Sequence, residues 1–199
     1  MLFFSSKPNP YLNDPDVVLM MAFKNGDKGA FDLILKNNYK RTFGFVARML
    51  SDETAAEDLT QEVFIKLYKM ASSYQPRSKL STLLFRMARN AALNELRQRK
   101  VHVSMDQDNE GEENLFKKQM EDASATHPGQ QLEQEELAQQ VRLAVEALPQ
   151  NQRAAVILRR YEGMSYEEIA RAMKATPKAV KSLLNRAKEN LRESLKSCI

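Results

Sequence analysis

The chain has 199 residues with 30 basic and 26 acidic side chains, one cysteine and no tryptophan. That length allows one or two domains with their own core, and the abundance of Ala, Leu, Glu, Lys, Arg and Gln favours an all-α fold. No apolar run approaches the roughly 20 residues of a bilayer span, Met1-Leu-Phe-Phe breaks at once into Ser5-Ser6-Lys7-Pro8, and Cys198 has no partner for an internal disulfide. No membrane span, signal peptide or disulfide scaffold is expected, and a cytoplasmic protein is. Charge is distributed unevenly. Residues 1–100 carry 16 basic and 10 acidic side chains (+6), residues 101–150 carry 3 and 11 (−8), and residues 151–199 carry 11 and 5 (+6). Basic blocks suit a polyanion, and the acidic middle would be repelled by one.

From Asp16 to Lys100 the apolar residues recur at helical spacing. Residues 1–15 read as a tail. Asp16 is the expected cap of a helix carrying Val17, Leu19, Met20, Met21 and Phe23, stopped at Asn25-Gly26. Asp27 opens the next, through Phe31, Ile34, Tyr39, Phe43, Val46 and Leu50, and Ser51-Asp52 breaks it. A third helix starts at about Thr54 and ends near Met70. Its Ala56, Leu59, Val63 and Leu67 form a core stripe, while Asp58, Gln61, Glu62 and Ile65 gather on another side. Ser72-Ser73-Tyr74-Gln75-Pro76 reads as a loop, and Ser81 caps a fourth helix from Thr82 to about Lys100. There Leu83, Leu84, Met87, Ala88, Ala91 and Leu96 face inward, and Arg86, Arg89, Asn90, Asn94 and Arg97 lie outside the stripe.

Residues 101–131 are acidic, polar and poor in periodic apolar positions, with only Leu115, Phe116 and Met120 hinting at helix. A structureless connection of that length is uncommon inside a compact domain, so it reads as a flexible linker between two helical domains, 16–100 and 132–199. Beyond it, helices are expected at about 132–147, 150–161, 166–173 and 177–196. Ser165 with Glu168 three residues later forms a capping box, Lys174-Ala175-Thr176 a tight turn, and Pro177 a favoured first helical residue. The pair reads as a helix-turn-helix. Val180, Leu183, Leu184, Ala187 and Leu191 fall on one side of its second helix; Lys178, Lys181, Ser182, Asn185 and Lys188 fall on the other, where they can reach phosphates and base edges.

The residues by themselves leave alternatives open. The Asp58–Ile65 face is a protein-docking patch, a solvated polar face with one apolar residue, or a carboxylate pair without a catalytic partner. The Arg–Asn helix suits phosphates and exposed bases, with Phe85 and Tyr74 as stacking surfaces or as core. His102 and His127 fall in the linker and Cys198 in the terminal tail, so neither a catalytic nor a metal site, and no cofactor, is expected. A transcriptional regulator with a C-terminal helix-turn-helix is the rival reading.

Four motifs then stand in one order: Asp58-Leu-Thr-Gln-Glu-Val-Phe64, Ser81-Thr-Leu-Leu-Phe-Arg-Met-Ala-Arg-Asn90, Leu148-Pro-Gln-Asn-Gln-Arg153, and the helix-turn-helix. In this arrangement the chain resembles bacterial RNA polymerase sigma factors of the extracytoplasmic-function group, over about 16–100 and 132–196. The resemblance implies a non-enzymatic initiation subunit that binds core RNA polymerase and promoter DNA, responds to stress and is held by an anti-sigma factor. It implies that Asp58, Gln61, Glu62 and Ile65 meet the clamp helices of the largest polymerase subunit. It assigns Arg86, Arg89, Asn90, Asn94 and Arg97 to the −10 element and its opened strand, and Lys178, Lys181, Ser182, Asn185, Arg186 and Lys188 to the −35 element. The acidic linker would thread toward the RNA path. The chain departs from the family pattern at Leu83, usually tryptophan; at Asn94, commonly aspartate; at Lys174, usually glycine; and at Leu183, a frequent arginine.

Overall fold

A computed structural model describes residues 9–106 and 128–196, which form eight α-helices and one short 3₁₀ turn with no strand among them. In order these are α1 (Pro15–Lys24), α2 (Lys28–Leu50), α3 (Glu53–Lys69), the 3₁₀ turn (Ala71–Ser73), α4 (Leu80–Asp106), α5 (Pro128–Glu146), α6 (Gln150–Arg160), α7 (Tyr166–Met173) and α8 (Pro177–Ser194). The first four helices pack around one another, α2 lying against α1, α3 and α4; α6, α7 and α8 form a second group, with α5 leaning on α8.

The caps explain the boundaries. Asp14, Asp27 and Asp52 each accept a hydrogen bond from the backbone N–H three residues on, at Val17, Ala30 and Ala55. Two of the three correct the sequence expectation. Asp14 caps α1, leaving Asp16 in the first turn to accept from Asn37 and Asn38 at 3.0 Å each. Asp52 caps α3, and the helix then begins at Glu53. Likewise α4 starts at Leu80, one residue before the anticipated Ser81 cap, because Leu80 is fully buried and its packing extends the helix backward. Gly26, at φ +106, ends α1 in a conformation that a side chain would strain. Ser51 and Lys174 adopt the left-handed region without being glycine, at φ 56 and 53.

The core is continuous. Met20, Ile34, Phe45, Met49, Leu67, Leu80, Leu84 and Phe85 are buried in the first group, and Ile157, Leu158 and Ile169 in the second, all in one hydrophobic cluster. Phe45 and Phe85 meet edge-on with centroids 5.6 Å apart, and Tyr39 stacks on Phe64 at 5.8 Å. Buried Gln152 accepts from Asn190 at 2.9 Å, tying α6 to α8.

The two groups touch, where the sequence suggested two bodies on a tether. Helix α4 packs against α7, and α2 against α6. Arg153 of α6 donates to the Met49 carbonyl at the end of α2 at 2.9 Å, and Arg41 pairs with Glu162 at 2.9 Å. Helices α4 and α5 also run into the expected linker from both sides, to Asp106 and from Pro128. The rest of it, with Leu115, Phe116, Met120 and His127, lies outside the described residues, as does Cys198.

Candidate polymerase and nucleic-acid interfaces

Three helix faces carry the residues singled out in the sequence. On α8 the geometry begins one helix earlier. Ser165 accepts from the Glu168 N–H at 3.2 Å while the Glu168 carboxylate accepts from the Ser165 N–H at 2.8 Å, closing the capping box. Lys174, at φ 53 and ψ 46, turns the chain, and the Ala175 N–H reaches back to the Ala170 carbonyl at 2.8 Å. Thr176 then caps α8 by accepting from the Ala179 N–H at 3.2 Å, with Pro177 first in the helix. This turn sets how α8 leaves α7. Val180 and Ala187 are fully buried and Leu183, Leu184 and Leu191 half-buried, so the expected inner stripe holds, Leu183 included. Lys178, Lys181, Ser182, Asn185, Arg186 and Lys188 are all exposed. Arg186 donates to the Ser182 hydroxyl at 3.0 Å, and among the described residues none of the four cations forms an ion pair. An uncompensated basic ridge on a fixed helix is suited to a duplex groove.

On α3, Ala56, Val63 and Leu67 are buried, whereas Asp58, Gln61 and Glu62 are exposed and Ile65 keeps 52% of its surface in solvent. Glu62 is bonded to Lys66 at 3.2 Å, an exposed i,i+4 pair that a competing partner can replace at little cost. Tyr68, one turn on, is 51% exposed and braced by the Phe23 and Phe31 rings at 4.9 and 5.1 Å. It extends the apolar part of the patch beyond Ile65. Sequence periodicity missed it, because an exposed tyrosine beside a core stripe has no distinguishing pattern. Acidic side chains around an apolar centre fit a basic protein surface.

On α4, Asn90, Asn94 and Arg97 are exposed, and Arg86 and Arg89 half-buried. Arg89 donates to the Asn151 side chain at 2.6 Å, its Nε is buried without a partner, and burial lowers its pKa from the usual value. Arg89, Asn90, Asn94 and Arg97 line a polar cleft of about 480 Å³ with Leu93 and with Gln150 and Asn151 at the start of α6. Asn151 is a neighbour that only the packing of distant segments could supply. Phe85 and Tyr74 are core residues, 2% and 3% exposed, and offer no stacking surface. The Tyr74 hydroxyl is buried without a partner, and burial, together with the nearby Asp14 carboxylate, pushes its pKa up to about 12. Leu83 is buried too, so no aromatic side chain is exposed among the described residues of α4.

A second electrostatic feature joins α3 to α4. The Asp52 carboxyl is held below its ordinary range by the Ala55 N–H it caps and by the Arg99 guanidinium at 2.8 Å, against the opposing effect of burial. Arg99 also pairs with Glu95 at 2.8 Å. Among the described residues there is no cluster of His, Cys, Asp or Glu able to hold a metal ion, and no helix long and apolar enough to cross a membrane.

Comparison with known proteins places the chain in a family. The model of Sigma-70 region 2 matches residues 34–101, and that of Sigma-70, region 4 matches residues 138–191. The RNA polymerase sigma-H factor of Pseudomonas aeruginosa is 30% identical over 182 residues, covering 92% of this chain and 94% of that protein. The ECF RNA polymerase sigma-E factor of Escherichia coli strain K12 is 34% identical over 175 residues, 87% of this chain and 91% of that one. Among solved structures, the sigma factor RpoE in complex with the anti-sigma factor NepR from Bartonella quintana is 26% identical, with a TM-score of 0.65 over 83% of this chain and 96% of the other. CnrH in complex with the cytosolic domain of CnrY shares the fold, with a TM-score of 0.67 at 21% identity over 92% of this chain and 99% of the other.

Proposed function

For a chain that belongs to the extracytoplasmic-function group of sigma-70 factors, promoter recognition and transcription initiation are the family's work, and we propose how its own residues divide that work. Residues 16–100 bind core polymerase and the −10 element, and residues 132–199 bind the −35 element. Asp58, Gln61, Glu62 and Ile65 dock on the clamp helices of the largest subunit, where carboxylates meet basic side chains around a small apolar contact. Arg86, Arg89, Asn90, Asn94 and Arg97 hold the −10 element and its opened strand. With Leu83 buried and no exposed aromatic among the described side chains of α4, this set captures the separated strand by hydrogen bonds and phosphate contacts rather than by stacking. Lys178, Lys181, Ser182, Asn185, Arg186 and Lys188 read the −35 element from the major groove.

The observation that carries this reading is the ridge of cations on α8, without an ion pair among the described residues and held by the capping box and the Lys174 turn, in a chain that also exposes an acidic patch on α3. The protein acts in the cytoplasm as a dissociable subunit without catalysis of its own, and is released in response to stress from an anti-sigma factor. Neither DNA contact need be tight alone, because joining two contacts in one chain raises the effective concentration of the second. Transcription reconstituted with sigma-free core polymerase on a library of genomic fragments tests this directly. Discrete start sites sharing two upstream boxes are expected; failure to bind the core enzyme or to select any start site would overturn it.

A further inference from the structure

The cleft between α4 and the start of α6 gathers positive charge without a counter-charge. Arg89 and Arg97 stand on its α4 wall, and no aspartate or glutamate lines the same space. Neither arginine forms an ion pair among the described residues. Arg89 donates to the Asn151 side chain at 2.6 Å, while its Nε is shut away from solvent with no acceptor. Arg97 stands 3.5 Å from the Asn94 side-chain oxygen, a weak contact. A cation drawn partly out of water without a partner is costly, and an anion that fills the gap relieves that cost. The opposite wall is the first turn of α6. Pro149 precedes that helix and provides no side-chain cap; the Gln152 and Arg153 N–H groups turn back to its carbonyl at 2.8 and 2.9 Å. The Gln150 and Asn151 N–H groups have no such acceptor among the described residues and stand at the positive end of an 11-residue helix. A second cleft of about 300 Å³ continues from Asn94 and Arg97 to Gln98 and Val101. At about 1.5 Å per residue, the stretch of α4 from Arg89 to Val101 is about 18 Å long.

We propose that this cleft binds a small polyphosphate anion, free or as the phosphate end of a nucleotide, between the Arg89 and Arg97 guanidiniums and the start of α6. Guanidinium forks pair with phosphate oxygens two bonds at a time, and backbone N–H groups at a helix start take further lone pairs. Its volume of about 480 Å³ lies within the range of small-ligand sites, about 300–1,000 Å³. The adjoining cleft suits a nucleoside, whose base edge can pair with the Asn94 and Gln98 amides beside the apolar Val101. Gln150 and Asn151 belong to neither the DNA faces nor the polymerase face assigned above. Arg89, Asn90, Asn94 and Arg97 are shared with the −10 set, so a bound polyphosphate competes with capture of the opened strand. That consequence, unlike the binding itself, rests on the −10 assignment proposed above.

Isothermal titration calorimetry of the full-length chain with sodium pyrophosphate and, separately, with GDP, in magnesium-free buffer at low salt, tests the site. One equivalent of ligand is expected to bind. Asn151→Asp sets a carboxylate beside Arg89 and at the start of α6, supplying the missing anion from within, and should weaken binding about tenfold or more. Gln150→Glu should act in the same direction. Both substitutions favour the helix dipole, so neither should lower the melting temperature, which checks that the fold is intact. Lys28→Glu is a larger change in net charge at an exposed residue outside the cleft, and should leave the affinity within about twofold. GDP binding tighter than pyrophosphate identifies a nucleotide as the ligand; GDP binding no tighter identifies the inorganic anion. No saturable binding of either at millimolar concentration, unchanged affinity in both cleft variants, or an equal loss in Lys28→Glu removes the site. The transcription assay above reports on the −10 assignment independently, so either result can fail while the other stands.

Discussion

Lys174 is the residue on which the geometry of the helix-turn-helix depends, and replacing it with glycine should make the protein more stable. Its backbone sits at φ 53 and ψ 46, the left-handed region, where a Cβ crowds the following carbonyl at a cost of about 1–2 kcal/mol. Glycine removes that crowding but gives the unfolded chain more freedom, a loss of about 0.4–1 kcal/mol. The side chain itself is exposed and makes no ion pair among the described residues, so its removal costs little more. The net gain is about 0.5–1 kcal/mol, which for a chain of this size raises Tm by about 1–4 °C. Thermal unfolding followed by calorimetry should show that rise in Lys174→Gly and none in Lys174→Ala, which keeps the Cβ. Ser51→Gly, at φ 56 between α2 and α3, should gain similarly by the same physics. If Lys174→Gly melts no higher than Lys174→Ala, backbone strain is not what this turn stores.

Lys181→Ala should weaken promoter binding and lower the slope of log K against log salt by about 0.9, the effect of one phosphate contact; an unchanged slope would remove Lys181 from the DNA interface. Glu62→Lys reverses a charge at the centre of the α3 patch, where burial is slight, so it should abolish association with core polymerase while leaving the helical circular dichroism intact. Asp52→Ala removes both the α3 cap and the Arg99 pair and should cost about 1–2 kcal/mol by chemical denaturation, with Asp52→Asn costing less because an amide still caps. Since the folded Asp52 pKa is depressed, its charge-dependent stabilisation is fully present above the unfolded value of about 3.9 and is lost as pH falls through the folded one. The gap between wild type and Asp52→Asn should therefore close on acidification below about pH 4; a pH-independent gap would mean that Arg99 contributes nothing through charge.

The helices themselves were legible because their signals are local. Periodicity at 3.6 residues placed the stripes of α3, α4 and α8, and the Ser165–Glu168 pair and Pro177 marked helix starts that the structure reproduces. Reading the wheel also put Leu183 inside and the α8 cations outside, as observed. The misplaced starts differ in cause. At α1 and α3 another nearby aspartate, Asp14 or Asp52, makes the cap hydrogen bond, and at α4 the fully buried Leu80 stands in the first turn. Phe85 and Tyr74 show the same limit: an aromatic on a helix or loop is core or surface according to what packs over it.

Local order along the chain thus determined the all-α architecture, the turn of the helix-turn-helix and the identity of its polar ridge, since spacing and capping act between residues a few positions apart. Tertiary structure alone decided that Arg89 meets Asn151, that Arg153 reaches Met49, and that Tyr11 lies beneath Arg171. Those pairs are separated by tens to more than a hundred positions, and such contacts depend on how whole amphipathic faces close on one another.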